Sequence, residues 1–199
     1  MIIKKLFSVL LTICLMFSIF LNNSSIVFAK GEEYTPIEGC VTVDVNDYKV
    51  GDSIVVFEDN KEHFRVVIDV IDYKPTITPY ETGNSGWSGG NMPSGTHTLY
   101  PHIERTGLGH QKMGFYETVQ SKSGGFKILE VYNPSIVTGI GVTVSQVKLK
   151  INQSQTSGSV TAKASMNWIA EEVVGHSTYN CYLMSEINSI GQHKLSWKF

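Results

Sequence analysis

Apolar and polar residues alternate through most of the chain after its first thirty residues. One segment places five apolar side chains at every second position: Val160, Ala162, Ala164, Met166 and Trp168. The same alternation runs through residues 147–151, 179–187 and 194–199. Because successive side chains of a β-strand point to opposite faces, the pattern predicts strands with one buried face and one polar face.

Further strands are predicted from shorter apolar runs at residues 41–45, 53–57, 64–72, 96–102, 113–120, 126–132 and 136–144. Residues 64–72 are apolar on both sides for part of their length, which favours a central strand. The charged turn around Asp59-Asn60 before it predicts a hairpin, and Gly124-Gly125 separates two other strands. Residues 169–174 are expected to form a single helical turn or a broad loop. About ten short strands predict an all-β fold, an antiparallel β-sandwich or a sandwich-like barrel.

The N-terminus differs from the rest of the chain. Lys4 and Lys5 precede an apolar run over residues 6–21, followed by polar residues and the sequence Val27-Phe28-Ala29. This order is typical of a cleaved secretory signal covering residues 1–29. The alternative is an uncleaved anchor, but sixteen helical residues reach only about 24 Å, less than the hydrocarbon thickness of a bilayer. We therefore expect a secreted, extracellular protein without a stable membrane span.

Residues 30–199 are predicted to form a single β-rich domain. Cleavage removes two lysines, so the 16 basic residues fall to 14 against 18 acidic ones, a net charge of −4. This mild acidity argues against nucleic acid as a partner, because nucleic-acid binding requires basic patches.

One segment interrupts the strand pattern. Residues 74–95 are rich in glycine and proline and predict a long irregular loop, which is either functional or mobile. Tyr80 and Trp87 lie in this loop and Tyr100 lies beside it. Exposed aromatic rings on a rigid β scaffold are typical of recognition sites, so these three residues are the predicted ligand-binding residues. The alternative is that Trp87 packs back over the sheet.

Two cysteines remain after cleavage, Cys40 and Cys181. An isolated pair in an oxidising exterior predicts a disulfide bridge, which stabilises a fold by about 5 kcal/mol for a loop of this length. The alternative is that both are small buried hydrophobic residues that never meet.

Between the export signal and the closing strand, the chain carries four motifs in order: Phe57-Glu58-Asp59-Asn60, the stretch from Met92 to Tyr100, Met113-Gly114-Phe115-Tyr116, and Ile128-x-x-Val131-Tyr132-Asn133-Pro134. This order resembles that of small secreted proteins of Gram-positive bacteria grouped only as domains of unknown function, and the resemblance covers about residues 50 to 199. It implies an extracellular β-sandwich-like fold and supplies no catalytic residues.

Candidate catalytic patterns are weak. Gly86-Trp87-Ser88-Gly89-Gly90 fits the serine-hydrolase elbow, but neither a strand nor a helix flanks Ser88. A zinc site could draw on His97, His102 and His110, although residues 97 and 102 of one strand face opposite sides. A thiol nucleophile at Cys181 would need His176 or His193 as the activating imidazole. We predict no catalytic residue, no metal and no cofactor.

The leading hypothesis is therefore a secreted, non-catalytic binding protein that acts at the cell surface or in the medium. Its ligand would be a cell-wall or host glycan, or a protein. One alternative is a secreted toxin or bacteriocin acting on membranes, because the alternating segments 160–168 and 179–187 could form an inserting hairpin. The other is an extracellular hydrolase that uses Ser88 or the histidines.

Overall fold

The alternating segments form ten antiparallel strands in the structure, a computed structural model that describes residues 37–45, 48–75, 95–106, 110–122, 125–173 and 176–199. In chain order the strands are β1 (Glu38–Asp44), β2 (Ser53–Asp59), β3 (Phe64–Pro75), β4 (Gly95–Arg105), β5 (Gln111–Lys122), β6 (Gly125–Val137), β7 (Val142–Gln153), β8 (Ala162–Glu172), β9 (Thr178–Ile187) and β10 (Gln192–Lys198). No α-helix occurs within the described ranges. The all-β prediction is confirmed.

The strands form two five-stranded sheets. Sheet A has the order β1-β10-β9-β8-β7, and sheet B has the order β2-β3-β4-β5-β6. Sheet B is a meander in chain order, while β1 completes sheet A by pairing with β10 at the far end of the chain. Each sheet turns its apolar face to the other, so the two enclose one hydrophobic core. The architecture is a β-sandwich, as the alternation predicts.

Aromatic side chains join the two sheets at one end of the core. Trp197 of β10 lies 5.1 Å from Phe57 and 6.1 Å from Phe64, measured between ring centroids. Phe199 follows β10 and lies 5.8 Å from Phe64 and 6.2 Å from Trp168. Aromatic pairs at these separations contribute roughly 0.5–1.5 kcal/mol each beyond the area that they bury. The cluster therefore anchors β10 of sheet A to β2 and β3 of sheet B.

The hairpin predicted between β2 and β3 is present. Asp59 Oδ1 accepts hydrogen bonds from the backbone N–H groups of Lys61 at 2.9 Å and Glu62 at 3.3 Å. A carboxylate that binds the amides following it closes a tight turn, which is why aspartate suits this position. The following strand β3 lies inside sheet B between β2 and β4, and Val67 on its outer side is buried like Val66 and Ile68 on either side of it.

The separate strands predicted at 126–132 and 136–144 are wrong, because β6 runs without interruption to Val137 and a turn follows before β7 begins at Val142. Asn133 has a positive φ of 46°, and the register between β5 and β6 shifts at this point. Asn133 and Pro134 form a β-bulge opposite Phe115. An edge strand tolerates proline because its missing N–H needs no neighbour.

Two further predictions differ from the structure at the ends of strands. The helical turn or broad loop expected at residues 169–174 is wrong for residues 169–172, because β8 continues to Glu172; residue 174 lies outside the described residues. The predicted loop bounds of 74 and 95 are wrong, because Lys74 and Pro75 belong to β3 and Gly95 begins β4. Residues 76–94 and the predicted signal peptide lie outside the described residues. Within the described ranges, no helix has the length and apolar character needed to cross a bilayer.

Candidate functional site

A row of three tyrosines lies on the outer side of sheet B, away from the core. In β4, Leu99 and Ile103 face the core, so Tyr100 and His102 face outward. The register of β5 places Tyr116 opposite Tyr100, and that of β6 places Tyr132 opposite Tyr116. We call Tyr100, Tyr116 and Tyr132 the tyrosine row.

The rings of the row stack on one another. The centroid of Tyr100 lies 4.6 Å from that of Tyr116, and the centroid of Tyr116 lies 5.6 Å from that of Tyr132, with interplanar angles of 26° and 20°. His102 continues the stack on the other side, 4.6 Å from Tyr100 at 22°. The inner rings therefore stack face to face on neighbouring rings, while Tyr132 ends the row on the edge strand β6.

A charged cluster borders the row next to His102. Glu104 accepts a hydrogen bond from Arg65 Nε at 2.6 Å, and its other oxygen lies 3.1 Å from Lys112 Nζ. Burial alone would raise the pKa of Glu104, but the hydrogen bonds from Arg65 and Lys112 lower it to about 2. Lys112 Nζ also lies 5.1 Å from the centroid of Tyr100, in cation–π contact. The row and the charged cluster thus form one continuous surface.

His102 is buried although it faces outward. Its Nδ1 donates to the carbonyl oxygen of Tyr100 at 3.1 Å, and its Nε2 lies 3.3 Å from Glu104 Oε1. Gly114 stands opposite it in β5, and a Cβ there would lie 2.5 Å from the Cβ of His102. The absent side chain lets the imidazole lie close to the sheet. Burial lowers the pKa of His102, with nearby Lys112 acting in the same direction and the Tyr100 carbonyl opposing it.

A second polar group lies inside the sandwich. Ser185 Oγ of β9 lies 2.7 Å from Glu117 Oε1 of β5 and 2.7 Å from His193 Nε2 of β10. His193 Nδ1 lies 2.9 Å from the hydroxyl of Tyr48, which precedes β2. None of the four is more than 8 % exposed. We call these residues the core network, which crosses from sheet B to sheet A.

Burial dominates the titration of the core network. It raises the pKa of Glu117 to about 7, against a smaller opposing effect of the Ser185 hydrogen bond. It lowers the pKa of His193 to about 3. The serine and imidazole are at hydrogen-bond distance, as in an activated nucleophile, yet the carboxylate contacts the serine rather than His193 Nδ1 and all groups are buried. A substrate therefore has no access to these four groups, and their hydrogen bonds do not follow the carboxylate–histidine–serine order of a hydrolase.

Of the predicted ligand-binding residues, Tyr100 is in the tyrosine row, whereas Tyr80, Trp87 and the candidate Ser88 lie outside the described residues. Tyr100 lies in β4, within the strand predicted at residues 96–102, but it is 5 % exposed and not the exposed ring that was expected. Sequence reasoning missed Tyr116 and Tyr132. Their outward position in alternating strands was the available signal.

His97 and His102 face opposite sides of β4, as their spacing predicts. In the part of the chain that the structure describes, no three histidine, cysteine, aspartate or glutamate side chains converge in a way that could hold a metal ion.

The predicted bridge between Cys40 and Cys181 is not formed. Cys40 is exposed on β1, while Cys181 is buried on the core face of β9. The thiols therefore lie on opposite faces of sheet A, and β10 also lies between their strands, so a disulfide cannot span them. Cys181 behaves as a small buried hydrophobic residue, which was the alternative for it.

Comparison with known proteins yields one solved structure to report. It is a hypothetical protein from Listeria monocytogenes EGD-e, aligned over 71 % of this chain and 99 % of that chain at 22 % sequence identity and a TM-score of 0.41. No family model and no curated protein sequence matches the chain. With this identity and TM-score, the similarity assigns no function.

Proposed function

We propose that the chain is a secreted, non-catalytic binding protein and that its ligand, a glycan of a cell wall or host surface, contacts the outer side of sheet B at the tyrosine row. The observation that carries the proposal is the row itself, three stacked tyrosines on the outer side of sheet B, of which Tyr116 and Tyr132 are half-buried and Tyr100 is buried. The sequence supports export through its predicted signal.

The chemistry of the surface suits a sugar. A pyranose presents an apolar face that packs on an aromatic ring and hydroxyls that bind charged and polar groups. Tyr132 ends the row, so its outer face is not covered by another ring of the row. At the other end Lys112 is partly exposed and offers a charged donor, while Glu104 is buried and holds Arg65 and Lys112 on its two oxygens. The row therefore offers an aromatic face at one end and a polar donor at the other.

The alternative of a membrane-inserting hairpin has a structural cost. Its segments correspond to β8 and β9, which lie in the interior of sheet A. Met166 and Leu183 of these strands are fully buried in the core. Insertion would remove both strands from the sheet and expose this core, whereas binding at the tyrosine row leaves the sandwich intact.

The test is binding of the purified protein to a glycan array and to isolated wall polysaccharide. Tyr132→Ala should weaken binding about tenfold, since loss of one stacking contact of roughly 1.4 kcal/mol corresponds to that factor. Tyr182→Ala is the matched control, because Tyr182 is a half-buried tyrosine on the outer side of sheet A. Failure of the wild-type protein to bind any glycan, or equal losses in both variants, would overturn the proposal. Binding to a protein ligand instead would reject the glycan.

A further inference from the structure

The three contacts of the core network can be hydrogen-bonded in two arrangements that differ by one proton. When Glu117 is protonated, Oε1–H donates to Ser185 Oγ, Ser185 donates to His193 Nε2, and His193 Nδ1–H donates to Tyr48. When Glu117 is ionised, Ser185 donates to Oε1, His193 Nε2–H donates to Ser185, and Tyr48 donates to Nδ1. The three contact distances of 2.7, 2.7 and 2.9 Å suit either direction.

We propose that the core network is a proton-operated switch, in which loss of the Glu117 proton reverses all three hydrogen bonds and moves the His193 proton from Nδ1 to Nε2. The net charge of the network changes from zero to −1 when the Glu117 proton leaves. The imidazole changes from one tautomer to the other and remains neutral. The reversal of hydrogen-bond direction therefore extends from Glu117 on β5 of sheet B to Tyr48 on the connection between β1 and β2.

Burial restricts the network to these two arrangements. Ser185 has a single hydroxyl proton, so it can donate to only one of its two neighbours and must accept from the other. Glu117 Oε2 makes no hydrogen bond, and a proton on that oxygen would be left buried and unsatisfied. The proton of the neutral acid therefore resides on Oε1, where it points along the chain of contacts.

Glu117 is the group of the core network whose protonation responds to pH. From sheet A it faces Ser185 and His193, and the burial that lowers the pKa of His193 keeps the imidazole neutral. Its paired neighbours in sheet B are Leu99 and Val131. His97 lies two residues from Leu99 on the same side of β4.

Nitrogen NMR of the full-length protein labelled with ¹⁵N-histidine tests the proposal. The Nδ1 and Nε2 signals of His193, assigned through the ring to its backbone, distinguish the two tautomers directly. We expect the Nδ1–H form at about pH 5 and the Nε2–H form at about pH 9, with the populations exchanging about tenfold per pH unit around the midpoint. One tautomer at every pH, or an imidazolium at pH 5, would overturn the proposal.

Two variants separate the switch from a general effect of pH. Glu117→Gln removes the titrating proton while its amide still reaches Ser185, so the His193 tautomer should no longer change with pH. Ser185→Ala removes the link and should uncouple His193 from Glu117. A pH-dependent tautomer that persists in Glu117→Gln would show that another group drives it and would reject the switch.

Discussion

Replacement of Glu117 by glutamine should change how stability depends on pH. Burial raises the pKa of Glu117 from 4.5 to about 7 and lowers that of His193 from 6.5 to about 3. The protonated acid stabilises the fold fully below pH 4.5, and this contribution is lost as the pH rises to about 7. The neutral imidazole stabilises the fold above pH 6.5, and this contribution is lost as the pH falls to about 3.

The two contributions cancel in the wild-type protein. Between pH 4.5 and 6.5 the unfolded chain carries one proton on His193 and the folded protein carries one on Glu117, so their sum gives no net slope. Without the acid, only His193 remains. Each pH unit over which folded and unfolded states differ by one proton changes the free energy of unfolding by about 1.4 kcal/mol. Glu117→Gln should therefore gain about 3 kcal/mol relative to wild type across this interval.

Denaturant unfolding at several pH values measures this difference. The buried indoles of Trp168 and Trp197 report unfolding by fluorescence. All other carboxylates are common to both proteins, so the difference between the two pH profiles isolates Glu117. His193→Gln should show the opposite trend, falling by about 3 kcal/mol relative to wild type between pH 4.5 and 6.5. Profiles of wild type and Glu117→Gln that run parallel from pH 4.5 to 7 would refute the reasoning.

Two substitutions test the packing around the candidate site and the contact between β6 and the segment that follows β7. Gly114→Ala places a Cβ 2.5 Å from that of His102 and should lower the free energy of unfolding by about 1–3 kcal/mol, measured by denaturant unfolding. In the control Gly139→Ala, the new Cβ meets the flexible side chain of Gln111, so the loss should be smaller. Equal losses in the two variants would contradict the steric argument. Thr156→Val removes the hydroxyl that accepts from the N–H of Phe126 at 3.0 Å and should cost about 1 kcal/mol, with faster amide hydrogen exchange at Phe126 as the local readout; unchanged exchange there would reject this role.

The alternation of side chains by itself determined the strand content and the faces of the strands. Leu195, Trp197 and Phe199 are predicted on one side of a strand, and all three are buried. Period-two patterning reveals this because strand geometry is local and places every second side chain on the same face. The alternation wrongly predicted a strand end at Asn133 and Pro134. Such residues usually end a strand, but a β-bulge lets β6 continue through them.

Tertiary structure alone decided which outward and inward side chains meet. Tyr100, Tyr116 and Tyr132 form a row because the registers of β4, β5 and β6 align them. Glu117 and Ser185 are polar residues at core positions, a visible signal in each strand, but their contact depends on how sheet B is stacked on sheet A. Strand registers and sheet stacking are set by interactions between residues far apart in the chain, and no local periodicity contains them.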